Sequence, residues 1–203
     1  MGANEFAKLP HIGESLLRKE DLRFLTGRGQ YTDDITQANQ KYAAFVRSPH
    51  AHAALKSVDT SAAAAMPGVV RVFTGQDMAG KMGGLPCGWL IHNPDGSPMK
   101  EPPHPILADK KVRYVGDHVA LVVANTPEQA RNAAEAVMVD YEVLGPVIDM
   151  RTASKAPALH DEAPDNQCYK WTLGDKAAVE AAFAGAAHVT KLDITNNRLI
   201  PNA

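Results

Sequence analysis

The sequence predicts an α+β fold, mixed in its order of short strands and short helices, and three observations predict it. Compact apolar runs rich in β-branched and aromatic residues recur at 42–47, 55–58, 69–73, 119–124 and 137–141. Runs of that length and composition are strands. Alanine-rich stretches with a hydroxyl residue in front of them, at 62–65 and after Thr126, have the form of capped helices. A break at 79–108 separates the two groups and is too rich in glycine and proline to hold a regular element for long.

Each element has a local cause. Residues 1–40 are polar and turn-rich. The closely spaced glycines of Gly27-Arg28-Gly29 suit a tight turn, and Arg18-Lys19-Glu20-Asp21 reads as a solvated charged face. The 42–47 strand stops at Ser48-Pro49. After the 55–58 strand, Thr60 or Ser61 is placed to cap the 62–65 helix, which Pro67-Gly68 ends. The 69–73 strand leads to Thr74, a cap for one more turn at 76–78. Beyond the break, 112–114 resumes a strand, Gly116-Asp117 turns it, and 119–124 is the most strand-like run in the chain.

Thr126 then caps a helix with Pro127 at its first position and Glu128 in its first turn, where a carboxylate meets the positive end of the helix dipole. Ala130, Ala133, Ala134 and Val137 recur three and four apart, so one face of that helix is apolar. Residues 150–170 are loop-like. Gly174-Asp175 opens a helix over 176–184, Gly185 stands where a left-handed cap is expected, and 189–194 is expected to be a last strand.

The 203 residues carry 21 lysines and arginines against 23 aspartates and glutamates, a formal charge of −2. No basic excess is available to neutralise a phosphate backbone, so no nucleic-acid partner is expected. At 45% apolar and 22% charged residues the composition is that of a globular protein. A chain of this length buries about two-thirds of its unfolded surface. The apolar runs fall far short of the roughly 20 residues that span a bilayer, so no membrane span is expected. The first ten residues do not join a basic start to an apolar core, and the expected location is therefore the cytoplasm. Cys87 and Cys168 belong to no C-x-x-C pair, which argues against a disulfide scaffold and a cysteine-only metal centre. A domain beginning near 170 has about one helix and one strand before Ala203, too little to bury a core. The sequence reads as cut short.

Candidate chemical groups are few. His50 and His52, two apart, would share a strand face and could chelate a metal, but Pro49 favours a turn and no third ligand has motif-like spacing. His118 reads as a turn or strand-edge histidine. His92 and His104 lie in the breaker-rich segment, where function is commoner than elsewhere. Cys87 has no neighbouring base or helix N-terminus to activate it and reads as inert. Gly27-Arg28-Gly29-Gln30 follows no strand and lacks the third glycine and the Lys-Ser/Thr of phosphate loops. No catalytic signature of the G-x-S-x-G or H-E-x-x-H kind occurs. Catalytic, cofactor-binding and metal residues: none is assigned from the residues alone.

Four segments nonetheless resemble one family in order along the chain. Arg18-Lys19-Glu20-Asp21-Leu22-Arg23-Phe24-Leu25-Thr26-Gly27-Arg28-Gly29-Gln30-Tyr31-Thr32-Asp33-Asp34-Ile35 is similar to the opening of the molybdenum-binding large subunit of the xanthine dehydrogenase, aldehyde oxidase and aerobic carbon monoxide dehydrogenase family. Phe45-Val46-Arg47-Ser48-Pro49-His50-Ala51-His52-Ala53, followed by Ala65-Met66-Pro67-Gly68-Val69, resembles its R-S-P-x-A-H-A segment. Val112-Arg113-Tyr114-Val115-Gly116-Asp117-His118-Val119-Ala120-Leu121-Val122-Val123-Ala124, the Thr126 helix and Val139-Asp140-Tyr141-Glu142-Val143-Leu144 form the third match. Gly174-Asp175-Lys176 through Phe183-Ala184 resembles the start of the following domain, and Asn197-Arg198-Leu199-Ile200-Pro201-Asn202-Ala203 a segment within it.

The resemblance implies an α/β-hammerhead domain at 20–145 after an N-terminal extension (1–19), a linker at 146–170, and the first elements of a molybdopterin-binding domain at 171–203. It implies part of an oxidoreductase that hydroxylates a carbon centre with water-derived oxygen, or oxidises CO. A molybdopterin-type molybdenum cofactor serves the full assembly, with [2Fe–2S] clusters and FAD on partner subunits in a homo- or hetero-oligomer. The family's pterin-holding segments, pocket residues and base lie further along the chain, so none is carried over; this chain alone is expected to bind no cofactor and to be inactive. The Gly/Pro-rich 79–108 segment, with Trp89 and Leu90 packed on something, is expected to supply a partner contact. The rival expectation is a stand-alone, non-catalytic binding or assembly module with a hammerhead fold.

Overall fold

The computed structural model describes residues 13–196. The readings made at 1–12 and at Asn197–Ala203 lie outside the described residues. In chain order the elements are α1 (Asp21–Leu25), a 3₁₀ turn (Thr32–Asp34), β1 (Tyr42–Arg47), β2 (Ala53–Asp59), α2 (Ser61–Ala64), β3 (Val69–Thr74) and α3 (Gly75–Met78). There follow β4 (Lys111–Val112), β5 (His118–Ala124), α4 (Pro127–Glu135), β6 (Met138–Val143), a 3₁₀ turn (Ala153–Lys155) and α5 (Lys176–Ala184). The chain passes alternately through two compact units. One takes the residues up to Val46, Val58–Phe73 and Ala120–Val139; the other takes Arg47–Ser57, Thr74–Val119 and the residues from Asp140 onward.

The first unit is built around the sheet β1-β5-β3. Its middle strand is buried on both faces, which is why its apolar run is continuous, whereas β1 alternates half-buried and exposed positions as a one-faced strand does. Ala120, Val122, Ala63, Ala133 and Val137 make the core, with Val46, Met66, Val69 and Val72 packed around them. The expected apolar face of α4 is the one buried: Ala130 and Ala133 are fully inside. Alanines also let α2 approach α4 closely. The predicted α4 cap is in place, Thr126 Oγ1 accepting the Gln129 N–H at 3.2 Å.

The α2 cap is different from expectation. Neither Thr60 nor Ser61 caps with its hydroxyl; the Asp59 carboxylate accepts the Ser61 N–H at 2.9 Å instead. Near the start, α1 was unexpected because it is five residues long and buries none of them. The glycine pair has two separate uses there. Gly27 takes a left-handed φ of +69°, and a Cβ on Gly29 would lie 2.5 Å from the Phe24 ring, which stacks on Tyr31 at 5.6 Å.

The second unit is built on the sheet β4-β2-β6. Antiparallel pairing sets Ala53 opposite Val112 and Ala54 opposite Lys111. Ala53 and Val112 are fully buried, alongside Leu107, Ala108, Val119 and Ala163. The strand expected at 112–114 is shorter, Lys111–Val112, because the Asp117 carboxylate takes the Arg113 N–H at 2.9 Å and turns the chain. Thr74 introduces α3 as expected, with the Asp77 carboxylate accepting its N–H and hydroxyl, both at 2.8 Å.

Three further expectations need correction. Trp89 and Leu90 do not pack into the described chain: they are 78% and 59% exposed. Gly185 ends α5 at φ −88°, a right-handed value, because its N–H still reaches the Ala181 carbonyl at 3.1 Å. Residues 189–194 form no strand; they are exposed throughout and have no neighbouring strand among the described residues.

The loop at 146–170 has no long element, yet one side chain orders it. Asn166 sits at φ +52°. Its Oδ1 accepts the Leu159 N–H at 2.9 Å, while its Nδ2 donates to the carbonyls of Ala153, Ala156 and Pro157 at 2.9, 3.3 and 3.0 Å. Asn166→Ala should cost about 2–4 kcal/mol, since it strands those groups and leaves a Cβ in left-handed backbone without the side-chain bonds that offset its strain. Asn166→Gly should recover about 1 kcal/mol of that loss, as urea unfolding will measure. Thr126→Ala should cost about 1 kcal/mol in the same assay through loss of the α4 cap.

Candidate functional site

Two of the segments that carry the family resemblance meet in the second unit. Ser48 donates its N–H to the Asp117 carbonyl at 2.8 Å and accepts the Gly116 N–H at 2.8 Å. Arg47 closes over them by donating to the Gly116 carbonyl at 3.2 Å. Ser48 and Asp117 are 2% and 4% exposed. The Ser48 hydroxyl is fully engaged: it donates to the His50 carbonyl at 2.9 Å and accepts the His50 N–H at 3.0 Å. It has no imidazole to activate it, because the His50 ring lies edge-on to Tyr141 at 5.0 Å. A nucleophile–base pair is therefore not formed here.

The surroundings favour the neutral forms of His118, Tyr114 and Tyr141. Burial, and then the Arg47 guanidinium, push the His118 imidazole below its ordinary value; His104 adds to this and Asp117 opposes it. Burial, and then the Asp117 charge, push the Tyr114 phenol up, as burial does for Tyr141. His104 meets Tyr114 edge-on at 5.9 Å, with 3.4 Å from its Nε2 to the phenol oxygen.

A second group of basic side chains follows from the β2–β4 register. Lys111 lies on the face of this pair opposite to the buried Val112, and Arg113 and His52 lie close enough to act with it on the His160 imidazole. Lys111 Nζ donates to the Leu159 carbonyl at 2.6 Å, which brings the neighbouring His160 over that face. Burial, then Lys111 and Arg113, hold the His160 imidazole below its ordinary value; Glu162 opposes them and His52 adds to them. His52 turns Nδ1 to the Gly145 carbonyl at 3.1 Å, so that nitrogen is the donor. Two fixed cations beside these rings make the face unsuitable for a metal cation.

The remaining candidates do not converge. His50 and His52 are held apart by their separate partners, Tyr141 and Gly145. His92 forms an isolated bridge with Pro98. Cys87 is exposed and its thiol donates to the Trp89 carbonyl at 3.1 Å. Among the described residues no three His, Cys, Asp or Glu side chains gather as a ligand set. These residues do not fit a protein-held metal, and no chemical step is assigned through one.

Asn93, Lys100 and Asn166 had no place among the sequence candidates. Asn93-Pro94-Asp95-Gly96-Ser97 is a turn-forming string, and it does form a turn, closed by the Asn93 N–H to the Ser97 carbonyl at 2.8 Å. Its sides meet where the Met99 N–H donates to the Ile91 carbonyl at 2.9 Å. This hairpin and residues 167–170 line an open cavity of about 420 Å³, with Asn93, Asp95, Lys100, Cys168 and Lys170 in its walls.

Comparison with known proteins agrees with this architecture. Residues 26–145 match the family described as the aldehyde oxidase and xanthine dehydrogenase a/b hammerhead domain. The chain is 40% identical to the nicotine 6-hydroxylase large subunit of Paenarthrobacter nicotinovorans, over 88% of this chain and 21% of that protein. It is 36% identical to the carbon monoxide dehydrogenase large chain of Afipia carboxidovorans, over 98% of this chain and 25% of that one. Among solved structures, CO dehydrogenase from Oligotropha carboxidovorans superposes with a TM-score of 0.68 at 33% identity, covering 92% of this chain and 24% of its counterpart. Quinoline 2-oxidoreductase from Pseudomonas putida 86 gives 0.59 at 38% identity, covering 70% and 17%. The chain thus spans about a quarter or less of these relatives, and through its hammerhead domain it belongs to the aldehyde oxidase and xanthine dehydrogenase family.

Proposed function

We propose that this chain is the N-terminal segment, or a separately made piece, of a molybdenum hydroxylase large subunit. In that reading, 1–19 is an extension, 20–145 the hammerhead, 146–170 a linker and 171–203 the start of the molybdopterin-binding domain. The complete assembly works in the cytoplasm and hydroxylates a carbon centre with water-derived oxygen, or oxidises CO. The molybdenum cofactor is held by the rest of the large subunit, and the [2Fe–2S] and FAD groups by partner subunits. The role of this chain is to frame and dock; it is inactive alone.

The observation that carries the proposal is the state of 171–196, every residue of which is exposed. Within it α5 is correctly started, the Asp175 carboxylate accepting the Ala178 N–H at 3.0 Å, yet it buries nothing. A nine-residue helix without a packed face is marginal in water. Its exposed Val179 and Phe183, flanked by Trp171, Leu173, Leu192 and Ile194, are what a segment shows when its core is elsewhere in the protein.

The test is reconstitution. The chain alone, expressed in a host that makes the molybdenum cofactor, should reduce no electron-accepting dye with aldehydes, N-heterocycles or CO. Together with the remainder of a large subunit and its partners, turnover with one of these substrate classes is expected. Dye reduction by the chain alone would contradict the proposal.

A further inference from the structure

We infer that Lys111, Arg113, His52 and His160 form a binding site for a small oxyanion of the sulfate or phosphate class, built where the 146–170 loop meets the β2–β4 pairing.

The four side chains come from three stretches of the second unit. Lys111 lies on β4, on the face opposite to the buried Val112, and Arg113 directly follows that strand. Both cations spend hydrogen bonds on backbone carbonyls: Lys111 Nζ donates to Leu159 at 2.6 Å, and Arg113 Nη1 to Lys111 at 3.2 Å. The first of these bonds ties the loop to the strand one residue before His160. His160 is held in turn by a short bridge to Ala163, whose N–H donates to its carbonyl at 3.1 Å. His52 directly precedes β2. It is fixed by Nδ1 on the Gly145 carbonyl at 3.1 Å and by the Leu144 N–H on its own carbonyl at 2.9 Å. Lys111, Arg113 and His52 all lie near enough to act on the His160 imidazole.

Three nitrogens of this cluster carry the inference. Arg113 Nε, His52 Nε2 and His160 Nδ1 are buried, and none has a hydrogen-bond partner among the described residues. Buried polar atoms are nearly always paired, so three orphans beside two fixed cations mark a place for an occupant. Lys111 and Arg113 repel a metal cation. Water would satisfy the nitrogens but would leave both positive charges unopposed, since neither forms an ion pair among the described residues. An oxyanion does both, offering several acceptor oxygens to guanidinium, ammonium and protonated imidazole. Glu162 acts on His160 from the same loop but is exposed, so its carboxylate opposes a bound anion.

The two imidazoles link binding to protons. Because His52 Nδ1 donates to Gly145, Nε2 donates as well only in the protonated ring. Burial, then Lys111 and Arg113, hold the His160 imidazole below its ordinary value, with Glu162 opposing them and His52 adding to them. A bound dianion offsets the two cations and raises the proton affinity of both rings. Affinity for the anion therefore rises as pH falls through the imidazole range.

Sulfate is the probe, because its charge is constant across that range. Titrated into the full chain at constant ionic strength set by chloride, it should bind about tenfold more tightly at about pH 5.5 than at about pH 7.5. It should also shift the side-chain NMR resonances of His52 and His160. Arg113→Gln should weaken binding about tenfold, and His160→Gln should remove most of the gain at low pH. Glu162→Gln should tighten binding by taking away an opposing charge, while Glu128→Gln on α4 should change nothing. The wild-type resonances judge the site even where a variant fails to fold. Imidazole resonances that sulfate leaves unmoved, or that chloride of the same ionic strength moves equally, overturn the proposal. So does sulfate binding that Arg113→Gln leaves intact or that Glu162→Gln weakens.

Discussion

The exchange of hydrogen bonds between Ser48 and the Gly116–Asp117 turn is the constraint on which the second unit rests. A serine and an aspartate this deeply buried are costly unless every polar atom is engaged. They are engaged: Ser48 through N–H, carbonyl and hydroxyl, Asp117 through N–H, carbonyl and carboxylate. The consequences run outward in both directions along the chain. Asp117 ends β4 by taking the Arg113 N–H, and its position starts β5 at His118. Ser48 ends β1 and turns the chain through His50 toward β2. The short pairing of β2 with β4, and the basic group of Lys111, Arg113 and His52 beside it, follow from where this turn is held.

Surface ion pairs contribute little beside this. Lys56–Glu142, Arg131–Glu128 and Lys176–Glu180 all have both partners more than half exposed, and such pairs are typically worth less than about 1 kcal/mol. The cohesion of the first unit comes from small apolar groups instead. Alanines at 63, 120, 130 and 133 are fully enclosed, and they allow helices and sheet to approach at distances that larger side chains would forbid. Specificity thus lies in backbone turns and caps, and stability in close packing.

Much of the architecture was legible in the sequence, for identifiable reasons. Strands β1, β3, β5 and β6 and helix α4 are each specified by neighbours along the chain: a β-branched run, or Thr126-Pro127-Glu128 before an apolar face. Elements whose limits depend on distant groups were not. The last two expected strand positions of β4, 113 and 114, are lost to Asp117, and α2 is capped by Asp59 rather than by a hydroxyl nearer to it. A strand at 189–194 fails for want of a partner strand, which no local pattern can supply. The family resemblance was carried by segments that the fold brings together at Ser48 and Asp117; the sequence marked each as a turn, while the bonds that join the two turns depend on contacts distant along the chain. Asn93 and Asn166 act through side-chain bonds across loops, and loops have no period to read.

The central claim is that this chain is one part of a molybdenum enzyme whose cofactor is held elsewhere in the same assembly. The most direct test is to isolate the intact assembly containing this chain from its source and measure molybdenum per copy of the chain by elemental analysis. The account predicts a value near one. An intact assembly from a cofactor-replete host with no molybdenum would contradict it, and would leave a hammerhead module serving some other partner.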